Sequence, residues 1–98
     1  MQIKENRFLM NQIAVFTLNG CIFCIDLKDR LTKEGIEFHD VEITKNREIW
    51  EQILSQTGDD ALPTVFIQTD KEGNGLVYTP GRDFYELDDI VEIIKKNI

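Results

Sequence analysis

The sequence predicts an α/β fold: a four-stranded mixed β-sheet with three helices on its faces, in the order β-α-β-α-β-β-α. Three observations predict it. Short apolar runs alternate with longer segments whose apolar residues recur at helical spacing. A polar, glycine-containing stretch, Asp70 to Gly75, separates the last two apolar runs at hairpin distance. The only two cysteines, Cys21 and Cys24, stand where the first apolar run gives way to the first helical segment.

Each element has its own signal. Ile13 to Thr17 is strand-like. Ile22 to Glu34 reads as a helix, with Leu27 and Leu31 at i, i+4 and Gly35 as a stop. Ile36 to Ile43 alternates through Ile36, Phe38, Val41 and Ile43 with one break in phase, and is predicted as a strand. Asn46 to Gln56 gathers Ile49, Trp50, Ile53 and Leu54 on one side of a second helix, with Gly58 after it. Thr64 to Gln68 is a buried-type strand, and Leu76 to Thr79 is the strand that returns from the hairpin. Asp83 is predicted to N-cap the last helix, with Glu86 as its capping-box partner. Asp88 and Asp89 early in that helix and Lys95 and Lys96 late in it match the helix dipole. The first two strands, joined by a helix, are expected to be parallel. Residues 1–98 read as one domain, with residues 1–12 left over as an N-terminal extension, frayed or forming a short extra element.

Composition narrows the function. Hydrophobic residues make up 42% and charged residues 30%, ordinary for a globular domain. A chain of this length hides roughly 65% of its unfolded surface, enough for one core. The net charge of −7 argues against nucleic acid, which needs a basic face, and against anionic membranes. No apolar run approaches the roughly 20 residues of a membrane span. Met1 to Asn11 is too short and too charged for a secretory segment, so the expected compartment is the cytoplasm, where a Cys-x-x-Cys pair is kept reduced.

Cys21-Ile22-Phe23-Cys24 carries the chemistry. The turn leaves the first sulfur at a helix N-terminus, where unpaired N–H groups and the dipole favour an anion. The thiolate is the form that attacks disulfides. A free cysteine with pKa near 8.5 is only about 3% thiolate at pH 7, and each unit of depression is about 1.36 kcal/mol. A helix terminus supplies up to roughly 2 kcal/mol. Small core residues, half of a zinc site and an inert structural disulfide are the competing readings. A closed zinc site needs four ligands, and the chain has two cysteines and one histidine, so no metal is expected. Lone structural disulfides belong to secreted proteins.

The ensemble resembles the glutaredoxins, of the thioredoxin fold, over about residues 13–97. Cys21-Ile22-Phe23-Cys24 stands where that family has Cys-Pro-Tyr-Cys. Thr57-Gly58-Asp59-Asp60-Ala61-Leu62-Pro63-Thr64-Val65-Phe66-Ile67 is similar to its Thr-Gly-x-x-Thr-Val-Pro-x-Val-Phe-Ile segment, and Gly81-Arg82-Asp83 resembles the end of its Gly-Gly-x-Asp motif. The resemblance implies thiol–disulfide oxidoreductase activity with Cys21 as nucleophile and Cys24 as resolving thiol. Cys21 is expected to be the more exposed of the two. As an ordinary strand-entry residue Pro63 would follow a trans bond; the resemblance makes it cis, with the Leu62 backbone aimed at whatever lies against Cys21. Phe23, Leu62, Pro63, Gly81, Arg82 and Asp83 are the implied substrate and glutathione contacts, with N–H groups of the Pro80–Asp83 turn available to a carboxylate. Disulfide-bearing proteins are the implied partners, and a monomer is expected.

The departures concern the reductant. The family commonly has a lysine three residues before the first cysteine and a basic residue just before its Thr-Val-Pro; here these positions hold Leu18 and Asp60, with Asp59 beside it. Pro80 replaces the first glycine of the pair, Phe23 lacks the tyrosine hydroxyl, and Ile22 replaces the favourable helix N1 proline. Losing charge-assisted bonds to the glycine carboxylate of glutathione costs about 1–3 kcal/mol. Glutathione is the co-substrate that the family implies. The acidic replacements point instead to a flavoprotein of the thioredoxin-reductase type, as with the redoxins that serve ribonucleotide reductase. Iron–sulfur carriage between two subunits and a redox-silent interaction module are the other classes. His39 is expected on the surface, Trp50 and Phe66 in the core.

Without the lysine, Cys21 depends on the helix terminus. In a Cys24→Ser variant, the ultraviolet absorbance of the thiolate should titrate with a midpoint above about 5; a lower midpoint contradicts this account.

Overall fold

The computed structural model describes residues 12–98. The extension assigned to residues 1–12 lies, apart from Gln12, outside the described residues. The elements follow the expected order: β1 (Ile13–Thr17), α1 (Ile22–Lys33), β2 (His39–Glu42), α2 (Arg47–Thr57), β3 (Thr64–Gln68), β4 (Gly75–Tyr78) and α3 (Leu87–Lys96). The sheet runs β2-β1-β3-β4. β1 pairs parallel with β2 and antiparallel with β3, and β3 pairs antiparallel with β4, so the sheet is mixed as predicted.

Helices cover both faces, which is why every residue of β1 and β3 is buried. Ile13, Val15, Val65 and Ile67 pack against Leu27 and Leu31 of α1 and Ile90, Val91 and Ile94 of α3. Ala14, Phe16 and Phe66 turn the other way, onto Ile49, Trp50 and Ile53 of α2. The Phe16 and Trp50 rings meet at 5.6 Å between centroids, tilted by 35°. Trp50 and Phe66 are therefore core residues, as expected. Fully burying a side chain such as Phe or Ile is worth about 1.5–3 kcal/mol, and the two central strands bury Ile13, Phe16, Phe66 and Ile67 in this way.

Two boundaries differ from the sequence reading by more than one residue, each for a physical reason. β2 begins at His39 rather than Ile36. Gly35, at φ 71°, closes α1 in a Schellman motif, with Ile36 N–H donating to the Leu31 carbonyl at 2.9 Å and Gly35 N–H to that of Thr32 at 3.1 Å. Ile36 is thus apolar because it completes the helix cap, and the break in phase marks the change from cap to strand. The second correction concerns α3. Its N-cap is Glu86, in a capping box with Asp89, and not Asp83. The Asp83 carboxylate is engaged earlier, accepting from the Thr79 N–H at 2.8 Å.

The hairpin between β3 and β4 is pinned by Asp70, which accepts from the backbone N–H groups of Glu72 and Asn74 at 3.0 and 2.9 Å. β4 opens on Gly75, opposite Gln68. A Cβ at Gly75 would collide with the Ile67 carbonyl oxygen and lie 2.6 Å from Cζ of Phe66. Neither the strand backbone nor the buried ring can give way. Gly75→Ala should therefore destabilise the protein by about 1–3 kcal/mol, read as a lower urea midpoint; an unchanged midpoint contradicts this packing.

Candidate active site

β1 ends at Thr17, and the chain turns through Leu18, Asn19 and Gly20 before α1. Cys21 N–H donates to the Leu18 carbonyl at 3.1 Å, and Gly20 takes φ 86°, a left-handed conformation that suits glycine. Cys21 then occupies the N-cap of α1 with extended φ and ψ of −76° and 110°. Its side chain does what a serine or aspartate cap does: Cys24 N–H donates to Cys21 Sγ at 3.2 Å. No carboxylate lies in the first turn of α1. The positive end of the helix is left to the sulfur.

Cys21 and Cys24 are joined as a disulfide, with their Cα atoms 5.2 Å apart. Cys21 is half-buried, whereas Cys24 is only 1% exposed. The order of exposure matches the sequence expectation, because residue 24 lies one turn along on the face that α1 turns to the sheet. Below the disulfide, α1 is tied down by polar contacts. Lys28 Nζ donates to Asp40 Oδ2 at 2.8 Å, and the Thr17 hydroxyl donates to Asp40 Oδ1 at 2.6 Å. Burial pushes the Asp40 carboxyl up, but these donors outweigh it and hold the pKa below the usual value.

The Leu62–Pro63 bond is cis, as the family resemblance implied. The loop that leads into it braces itself: Asp59 Oδ1 accepts from Ala61 N–H at 2.9 Å, and the Thr64 hydroxyl donates to the Ala61 carbonyl at 2.7 Å. Phe23, Leu62, Pro63 and Gly81 line one groove of about 590 Å³. Four of the residues singled out in the sequence thus come together there. Arg82 and Asp83 do not line it. Arg82 Nη2 donates to the Val77 carbonyl at 3.1 Å, and Nε to Asp83 Oδ2 at 2.9 Å. Burial raises the Asp83 carboxyl; the bonds from Arg82 and the Thr79 N–H more than offset this and leave it below its ordinary range. The N–H groups of the turn are also occupied. Gly81 N–H donates to Phe84 O at 2.8 Å, and Arg82 and Asp83 N–H both donate to Thr79 O, at 3.4 and 2.9 Å.

The replaced family positions sit as their chemistry dictates. Leu18 is 40% exposed beside the cysteine turn, and Asp60 is exposed on the loop before Pro63. His39 is exposed on β2, with Nε2 2.6 Å from Gln12 Oε1. Among the described residues no group of three or more His, Cys, Asp or Glu is placed to hold a metal ion, and no helix is long and apolar enough to cross a membrane.

Sequence reasoning missed the far wall of the groove: Asp26 and Arg30 on α1, and Tyr85, Glu86 and Asp88 at the start of α3. The signal for the α1 side was present. Phe23, Asp26 and Arg30 stand at i, i+3 and i+7, one row along a helix.

Comparison with known proteins agrees with this geometry. The glutaredoxin family model matches residues 13–71, a stretch that ends before the Pro80–Asp83 turn. The chain is 31% identical over 86 residues to the Gene 56 protein of Mycobacterium phage L5, covering 88% of this chain and 78% of that one. It is 38% identical over 60 residues to a glutaredoxin of Solanum lycopersicum, covering 58% of this chain and 56% of the relative. Among solved structures, the Malassezia sympodialis thioredoxin Mala s 13 superposes with a TM-score of 0.54 at 14% identity, over 90% of this chain and 79% of that one, a likeness of fold. The first strand, both cysteines and the Leu62–Pro63 corner all fall inside the matched stretch, and this chain belongs to the glutaredoxin family.

Proposed function

We propose that this protein reduces disulfides of partner proteins by a dithiol mechanism. The observation that carries the reading is the asymmetry of the cysteine pair: Cys21 half-exposed with its sulfur capping the helix, Cys24 buried one turn in. In the reduced protein the Cys24 N–H and the helix terminus stabilise a Cys21 thiolate. That thiolate attacks one sulfur of the substrate disulfide. A Cys21–substrate disulfide forms, and the other substrate sulfur leaves as a thiolate and takes up a proton. Cys24, deprotonated, then attacks Cys21 Sγ and expels the second substrate thiol. The substrate gains two electrons, and the protein is left as the Cys21–Cys24 disulfide, the form seen in the structure. Leu62, Pro63 and Phe23 form the surface against which the substrate chain lies, in the manner of an added strand.

A second reading concerns the electron donor, and the site favours a dithiol flavoprotein reductase over glutathione. Arg30, which lines the groove, is engaged with Asp26 and Asp88, and Arg82, outside it, with Asp83. The turn N–H groups that would hold a carboxylate donate within the turn. Asp60, with Asp59 beside it, stands where the family commonly places a basic residue.

Two outcomes test these readings. Cys21→Ser should abolish turnover, while Cys24→Ser should accumulate a mixed disulfide with substrate, seen by mass spectrometry; trapping through residue 24 in a Cys21→Ser variant would reverse the roles. In a coupled assay, thioredoxin reductase should sustain turnover at least about tenfold faster than glutathione with its own reductase, the factor that about 1.4 kcal/mol of lost anion binding gives. Equal rates reject the second reading and leave the first intact.

A further inference from the structure

The groove does not stop at the disulfide. Phe23, Asp26 and Arg30 form one wall, stepping down α1 at i, i+3 and i+7. At a rise of 1.5 Å per residue, Asp26 lies about 4.5 Å and Arg30 about 10.5 Å beyond Phe23 along the helix. The facing wall carries Tyr85, Glu86 and Asp88 from the start of α3. The mouth is apolar and exposed: Phe23 is 65% exposed and Tyr85 82%. The far end is acidic: Asp26 and Asp88 both meet the Arg30 guanidinium, and Glu86, whose carboxylate caps α3, lines the same groove.

That guanidinium does not cancel them. Arg30 Nε meets Asp26 Oδ1 at 3.2 Å, and its Nη1 meets Asp88 Oδ1. Arg30 meets one oxygen, Oδ1, of each carboxylate, which leaves the second for an incoming donor. On the other flank, Asp59 and Asp60 add negative charge before Leu62, and Arg82 is neutralised by Asp83. The chain as a whole carries −7.

We propose that this groove selects an extended segment of the partner protein in which a lysine or arginine lies two to four residues from the reactive cysteine, with an apolar residue between them. The inference rests on the dithiol reading above and names its preferred substrate. The cysteine sits at Cys21. The apolar residue covers Phe23 and Tyr85. An extended chain advances about 3.3 Å per residue, so the basic side chain arrives between Asp26 and Asp88. There it shares those carboxylates with Arg30. Charge complementarity of this kind acts mainly on the rate of productive encounter and is weakened by salt.

The test uses two peptides with the same cysteine and leucine, one with lysine and one with glutamate three residues from the cysteine. Each is supplied as its mixed disulfide with thionitrobenzoate. The reduced full-length protein attacks the peptide sulfur, and the released thionitrobenzoate is read by its absorbance. The basic peptide should react on the order of tenfold faster at low salt, with the gap narrowing as salt rises. Asp26→Lys should reverse the preference. Asp26→Asn with Asp88→Asn, close in shape to the native side chains, should shrink it should the reversal variant fold poorly. Equal rates for the two peptides, or a preference untouched by either variant, overturn the proposal. Hydroxyethyl disulfide, small and neutral, separates the layers: wild-type protein that reduces it yet ignores peptide charge refutes the groove alone, and protein that leaves it unreduced refutes the dithiol reading and the groove together.

Discussion

The hydrogen bond from the Cys24 N–H to Cys21 Sγ is the constraint on which the site depends. It fixes the helix start, because a cap must satisfy an orphan donor of the first turn. It also decides which sulfur faces outward. With the cap at residue 21, residue 24 falls on the buried face together with Leu27 and Leu31. Structure and reactivity therefore share one contact: the anion that best completes the helix is also the nucleophile that the chemistry needs. The turn that delivers Cys21 relies in addition on Gly20 in a left-handed conformation and on the Leu18 carbonyl.

Around that point the sheet supplies rigidity. β1 is central, paired on both sides and buried along its whole length. Its last residue, Thr17, shares Asp40 with Lys28 of α1, so strand, neighbouring strand and helix are joined just beneath the disulfide. β3, the other central strand, begins directly after Pro63. The two halves of the site are thus the ends of two adjacent strands, paired in register from Ile13 with Ile67 to Phe16 with Thr64. Their relative position follows from backbone hydrogen bonds more than from loop conformation.

Much of this was legible in the sequence. The order of elements along the chain, the three helices, the cysteine cap and the buried aromatics followed from periodicity, from turn residues and from the position of Cys21 and Cys24. The bend before Pro63 was not visible in local preference, which favours a trans bond; only the resemblance of the surrounding motif implied cis. The ends of β2 and α3 were misplaced because the same residue types serve two purposes. Ile36 looks like strand and works as the seal of a helix cap. Asp83 and Glu86 have capping-box spacing, and so do Glu86 and Asp89; bonds within the turn, from Thr79 and Arg82, claim Asp83 and leave the second pair to start the helix. The acidic wall escaped notice because Asp26 and Asp88 are far apart in sequence and meet only through Arg30.

The separation of Asp83 from Glu86 has an evolutionary corollary. The turn after β4 and the first coil of α3 are anchored independently, one by Asp83 and the other by Glu86 with Asp89. Tyr85 lies between the two anchors, its ring projecting into solvent. Replacing that ring disturbs neither anchor. Descendants of this chain could thus acquire new selectivity at position 85 while their folding free energy stayed nearly constant, a decoupling that most core-lined clefts do not permit.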